Sequence, residues 1–165
     1  MSDAKTELQI PARGTRGARL STALFRLLKP LANGQVTRYR KNAGAEPPKF
    51  RGFPTVVLTT VGAKTGAERS SVLGGFKQGD GTWLIVASMG GAPTHPQWFI
   101  NMCKQPAKVW LEIGNRKLQV RPELLKGAEY EAAYARIAAE SPGYGKYRLQ
   151  TDREIPVIRL TPIDS

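Results

Sequence analysis

The apolar run Thr55-Val-Val-Leu-Thr-Thr-Val61 and the turn Gly62-Ala-Lys-Thr-Gly66 behind it constrain this chain more than any other stretch. A run so rich in β-branched residues predicts a strand, and a glycine at each end of a five-residue connection predicts that a second strand turns straight back, beginning near Arg69. A glycine turn between strands leaves backbone N–H groups free to point at an anion. Lys64 and Arg69 put cationic side chains at the same spot. Taken alone the pattern fits a solvated hairpin equally well. A second glycine-rich stretch, Ala87-Ser-Met-Gly-Gly-Ala-Pro-Thr-His-Pro-Gln-Trp98, follows in the same half of the chain.

Around this hairpin the sequence predicts further strands near Arg69–Lys77, Thr82–Ser88, Lys108–Ile113, Lys117–Pro122 and Val157–Thr161. Gln78-Gly-Asp-Gly81 and Gly114-Asn115 are the hairpin turns between them. Pro96–Gln105 reads as a short helix, and Tyr130, Tyr134 and Ile137 space a second one over Ala128–Glu140. Many short strands with one or two inserted helices favour a split antiparallel β-barrel of the mainly β (α+β) class over a doubly wound sheet. A chain of 165 residues with 41% hydrophobic content suits one such core.

The N-terminal third is different in character. Of a net charge of +12, residues 1–52 contribute 11 Lys/Arg against 3 Asp/Glu, while the other 113 residues carry 14 against 10. Met1 to about Thr15 is polar and is expected to be unstructured. Leu20, Leu24, Leu27, Leu28 and Leu31 then fall on one helical face opposite Arg19, Arg26 and Lys29, a basic amphipathic helix that Pro30 bends and Asn33-Gly34 ends. Ala43–Gly52, with Pro47-Pro48, reads as a linker, so residues 1–52 form a flexible, basic N-terminal region and 53–165 the barrel. Two readings of the helix stay open: it packs on the barrel, or it lies on an anionic membrane surface. No apolar stretch approaches the length needed to cross a bilayer, and the N-terminus lacks a signal-peptide core. With Cys103 as the sole cysteine, a reducing cytoplasm is the expected compartment, free or peripheral on the inner face of the plasma membrane.

Several chemistries lack their residues. His95 is the only histidine and no Gly-x-Ser-x-Gly elbow occurs, so a nucleophilic triad is hard to assemble and His95 is expected to be a hydrogen-bonded loop residue. One His and one Cys do not make a zinc or iron site, and no metal is expected. Asp152 and Glu154, flanking Arg153, read as a solvated or salt-bridged corner. What remains suits a large anionic cofactor that carries the redox chemistry itself. Lys64, Thr65 and Arg69 can grip a phosphate, Ser88 and the amides of Met89 to Gly91 can meet polar ring edges, and Trp98, Tyr144 and Tyr147 offer flat walls.

Four blocks carry a resemblance to a known family: Val57-Leu-Thr-Thr-Val-Gly-Ala-Lys-Thr-Gly66 with Arg69, Val86-Ala-Ser-Met-Gly-Gly91, His95-Pro-Gln-Trp-Phe-Ile-Asn101, and Tyr144-Gly-Lys-Tyr147 followed by Thr151-Asp-Arg-Glu-Ile-Pro156. In this order and spacing, from about Thr37 to Pro162, the chain resembles the deazaflavin-dependent nitroreductases, which use coenzyme F420. The resemblance implies a split β-barrel, reduced F420 (F420H2) as hydride donor, and a quinone, activated enone or nitroaromatic as the small-molecule acceptor. It also implies that Lys64, Thr65 and Arg69 bind the phosphate and acidic tail, that Ala87, Ser88, Met89, Gly90 and Gly91 line the deazaflavin, and that Trp98 and Asn101 support the site. Tyr144 and Tyr147 would face the substrate, with Tyr147 and Ser88 as proton or hydrogen-bond donors. Family members often carry Arg at Ala63, Lys at Met89, an aromatic at Gly74 and Tyr at Ser141; the last two differences imply a roomier substrate side lined by Gly74 and Ser141.

Two other classes compete: a barrel using FMN, or one that carries its cofactor without turnover, and a basic barrel that binds single-stranded nucleic acid. Nucleic-acid barrels interleave aromatics with Lys/Arg along their strands. Here the basic excess lies outside the expected strands, so no nucleic-acid partner is expected.

Overall fold

In the computed structural model, which describes residues 8–17, 34–50 and 52–163, the hairpin predicted from the sequence is the longest strand pairing in an eight-stranded antiparallel sheet. The elements are a helix α1 over residues 34–42, β1 Lys49–Phe50, β2 Phe53–Val61, β3 Glu68–Gly74, β4 Phe76–Lys77, β5 Trp83–Val86, α2 Gln97–Lys104, β6 Val109–Ile113, β7 Arg116–Leu124, α3 Gly127–Glu140, α4 Pro142–Gln150 and β8 Val157–Pro162. The strand order is β1-β2-β6-β7-β8-β5-β4, with β3 along the other side of β2.

The sheet curls because one extended segment serves both of its ends: β3 pairs β2, and two residues on, β4 pairs β5. Gly75 is the corner. A Cβ there would lie 2.9 Å from Val56 and 3.0 Å from Trp83, so only glycine lets the chain pass this close to both walls. The half-barrel interior is filled by alternate residues of its strands, among them Val56, Leu58, Ile85, Leu111 and Ile158, with Phe99 and Met102 of α2 closing one end. Leu84 and Val86 point the other way, under Tyr130, Tyr134 and Ile137 of α3, which explains why β5 is buried on both faces.

Among the described residues four helices accompany the sheet, three of them inserted between its strands where one or two were expected. Residues 34–42 are helical where Asn33-Gly34 reads as a stop, because Val36 and Tyr39 find a buried place against Val57. The Tyr39 hydroxyl donates to Thr55 O (2.9 Å) and accepts from Gly114 N (3.0 Å), and Arg40 forms a two-pronged ion pair with Glu112. Tyr39→Phe leaves that buried amide without its acceptor and should cost about 1–3 kcal/mol of stability, measurable by urea unfolding. The expected linker is also partly sheet, since Lys49 and Phe50 pair with Pro54 and Phe53. The leucine stripe from Leu20 to Leu31 lies outside the described residues. Among the described residues no helix is long and apolar enough to cross a membrane.

The stretch expected to be unstructured holds the largest difference. Residues 8–17 run as a strap along the barrel: Leu8 N donates to Cys103 O, Gly14 N to Pro93 O, and the Asp152 carboxylate accepts from the Thr15 hydroxyl and the amides of Thr15 and Arg16. Leu8 and Ile10 pack on the core, which a reading of polar composition misses.

Candidate cofactor site

The β2–β3 turn is built to leave donors free. Gly62 N–H bonds Ala67 O (2.8 Å), Gly66 N–H bonds Gly62 O (2.9 Å), and Gly66 takes the left-handed φ of +71°. Thr65 Oγ accepts from Ala67 N and would sit 2.6 Å from a Cβ on Gly62, so that position also demands glycine. From beneath, α2 braces the turn: Asn101 Oδ1 accepts from Ala63 N (3.3 Å) and from Gln97 Nε2 (3.1 Å), and Gln105 Nε2 donates to Gly62 O. Asn101 is buried and therefore supports the turn. Among the described residues the amides of Lys64 and Thr65 have no acceptor, and the exposed side chains of Lys64 and Arg69 have no ion-pair partner. Two amides and two cations on one exposed turn fit a phosphate and a carboxylate-rich tail.

The second loop follows β5. Met89, Gly90 and Gly91 have φ of 45°, 63° and 81°, three successive left-handed residues, of which Met89 is the strained one. Gly91 N–H closes on Ser88 O and Ala92 N–H on Met89 O, while the amides of Met89 and Gly90 have no acceptor among the described residues. Ala87 differs from the expectation that it lines a ring: it is fully buried in the barrel core, and its N–H and C=O are spent on Pro156 O and the Arg153 guanidinium. Trp98 is half-buried at the start of α2, edge-on to Phe99.

Across the loop stands α4. Gly91 has Tyr147 O and the Gln150 side chain within 3.1 Å of where a Cβ would project, so loop and helix touch. Tyr144 and Tyr147 meet edge to face at 5.8 Å, and Tyr144 continues into Phe76 and Phe53. The expected opening at Gly74 is corrected here, because Phe53 and the Tyr144 hydroxyl lie 2.8 and 3.0 Å from the place of its missing Cβ and occupy that space. Burial pushes the Tyr144 hydroxyl up to about 12, so it stays protonated at neutral pH. Ser141 joins α3 to α4, taking Tyr144 N–H on its carbonyl.

The structure thus brings Ser88, Met89, Gly90, Gly91, Gly74, Tyr144 and Tyr147 to one corner, and Lys64, Thr65 and Arg69 to the far end of the same hairpin. Arg69 and Gly74 lie five residue steps apart along β3, about 17 Å of strand. A flat ring with a long anionic tail fits such a track.

Sequence reasoning missed Arg153. It is 3% exposed and bonds no carboxylate among the described residues; its guanidinium donates to Ala87 O, Ser88 O, Ala92 O, Glu154 O and His95 Nδ1. Since a guanidinium only donates and Pro11 O only accepts, His95 is the neutral imidazole with its proton on Nε2, facing Pro11. It is the hydrogen-bonded loop residue expected, with both ring nitrogens engaged inside the protein. Burial, then the nearby Arg153 charge, holds its pKa below 6.5, and bonds from Thr15 and Arg16 hold Asp152 down to about 2. Both folded values lie below the unfolded ones, so each contribution to stability is present at high pH and lost on acidification. Thermal stability should fall first as the pH drops below 6.5, through His95, and again from about 3.8 toward 2, through Asp152. Asp152→Asn should abolish only the second step.

An antiparallel half-barrel with an exposed cationic turn at one end and a glycine loop facing aromatics at the other is the architecture of a barrel that can hold a long anionic cofactor. A solved F420-H2 dependent reductase, FDR-A, superposes with a TM-score of 0.59 at 35% identity, covering 65% of this chain and 93% of that one. An F420H(2)-dependent quinone reductase of Mycobacterium tuberculosis is 34% identical over 113 residues, 66% of this chain and 73% of the relative. An Agrobacterium tumefaciens protein of unknown function shares the fold (TM-score 0.51, 20% identity). The profile of the F420H(2)-dependent quinone reductase family matches residues 32–162, and the chain belongs to that family of oxidoreductases, whose cofactor is reduced coenzyme F420.

Proposed function

We propose that this chain seats F420H2 along the track from Lys64 to Tyr147 and reduces a quinone, with activated enones and nitroaromatics as further acceptors of the same electron demand. The observation that supports this most is the pairing of free donors with unpaired cations at one end of β3 and free loop amides beside tyrosines at the other. When bound, F420H2 supplies the hydride. Lys64, Thr65 and Arg69 hold the acidic tail; the Ser88 hydroxyl and the amides of Met89 and Gly90 meet the ring's carbonyl edge; Trp98 gives a flat wall. Tyr147 or Ser88 donates a hydrogen bond, and then a proton, to the acceptor oxygen as it gains charge. Titrating the protein with reduced and oxidised F420, FMN and a single-stranded oligonucleotide tests the assignment. Selective binding of F420 is expected; tighter binding of FMN would favour the flavin reading, and of the oligonucleotide the nucleic-acid one.

The same reading extends to where the acceptor is met. The leucine stripe and the cations Arg19, Arg26, Lys29, Arg38 and Lys41 suit an anionic membrane surface that dissolves lipophilic quinones, whereas Arg40 is held by Glu112. Deleting the whole N-terminus would also remove the docked strap, so the cleaner variant replaces Leu20, Leu24, Leu27 and Leu28 by serine. Sedimentation with anionic liposomes should fall in that variant and in high salt. Equal binding by both proteins, or none by either, would leave a reductase of cytoplasmic acceptors.

A further inference from the structure

Within the block Thr151–Pro156, Arg153 is a buried cation with no counter-ion among the described residues. Burying a charge this way is costly unless its donors find acceptors, and here Nε, Nη1 and Nη2 each bond a carbonyl of one loop. Three of its acceptors, Ala87 O, Ser88 O and Ala92 O, span the left-handed turn at 2.9–3.1 Å, and a fourth, His95 Nδ1, is at 3.0 Å. Drawing these carbonyls to the inner side leaves the amides of Met89 and Gly90 as the loop's free groups, with a positive charge behind them. We infer that Arg153 is a positioning residue for the reductase: by gathering the carbonyls of the Ala87–Ala92 loop, it presents the Met89 and Gly90 amides to the electron-rich, carbonyl-bearing edge of the cofactor ring. This role rests on the F420 assignment above.

His95 completes the device. Its Nδ1 takes an Arg153 N–H and its Nε2 proton bonds Pro11 O of the strap, while Thr151 Oγ bonds Arg16 O, so the guanidinium is sealed from water by residues 8–17. Gly17 lies against Gly91 O and Pro93, where a Cβ would approach to 2.5 and 2.7 Å. A lysine at position 153 keeps the charge but cannot reach several carbonyls in a plane at once.

Arg153→Lys is therefore the informative variant, since Arg153→Met risks misfolding. In the cofactor-free protein, hydrogen exchange at the Gly91 and Ala92 amides, which close the loop on Ser88 O and Met89 O, should quicken at least tenfold while the β5 and β8 amides stay protected. With oxidised F420 bound, the induced circular dichroism of the ring should weaken, and turnover at saturating F420H2 should fall tenfold or more with less than a threefold change in its KM, because the tail grip is intact. Unchanged loop exchange would overturn the inference, and so would a lowered melting temperature with wild-type dichroism and kcat. If wild-type protein bound no F420 while the loop exchange still responded to Arg153→Lys, the fault would lie in the cofactor assignment and the loop-ordering role would stand.

Discussion

The double variant Lys64→Ala, Arg69→Ala is expected to raise the dissociation constant of F420 about a hundredfold while leaving thermal stability unchanged. Charged hydrogen bonds are worth about 1.5–3 kcal/mol each, which is roughly ten- to hundredfold in affinity, and exposure on the turn argues for the lower end at each position. Stability should not move, because both side chains are exposed and neither has an ion-pair partner among the described residues. Raising the salt concentration should weaken wild-type binding and have less effect on the double variant. Unchanged affinity in both single variants would place the acidic tail elsewhere.

Tyr147→Phe should lower turnover on a quinone about a hundredfold with little change in cofactor affinity. A hydrogen-bond donor aimed at a developing oxyanion contributes on that scale, and phenylalanine keeps the ring that meets Tyr144 at 5.8 Å. Tyr144 is expected to behave differently from a pure substrate contact. It is half-buried between Phe76 and Tyr147, its hydroxyl against the Gly74 position, so Tyr144→Ala should cost about 2–4 kcal/mol of stability before any effect on acceptor KM is read. Proportionate loss of activity and stability in Tyr147→Phe would reduce that residue to a packing role as well.

The strands were legible because each carries its own signal: a β-branched run in β2, alternation of Val109, Leu111 and Ile113 in β6, and glycine turns between them. The exposed, cationic β2–β3 turn was legible for the same local reason, since turn residues and charge coincide within Lys64–Arg69. Helix α4 was not, because Gly143 and Gly145 lower its propensity; it is held by Tyr134 donating to Tyr144 O (2.6 Å) and by Arg148 between Glu131 and the rings of Tyr130 and Tyr134. Nor could Asp152-Arg153-Glu154 reveal its burial. A charged triplet reads as surface, and what makes Arg153 internal is a set of carbonyls about 60 residues upstream plus the strap at the other end of the chain. The opening at Gly74 failed likewise, because its filling comes from Phe53 and Tyr144, both remote in sequence.

Hydride transfer from F420H2 is the central claim, and the direct measurement is reoxidation of F420H2, followed by the return of deazaflavin absorbance on mixing with a soluble quinone and catalytic amounts of protein. Catalysed turnover with F420H2, none with reduced FMN in its place, and a steep rise in the F420H2 KM in the Lys64→Ala, Arg69→Ala variant are expected. Turnover with reduced FMN equal to that with F420H2, or no acceleration over the uncatalysed reaction with any quinone, would contradict it.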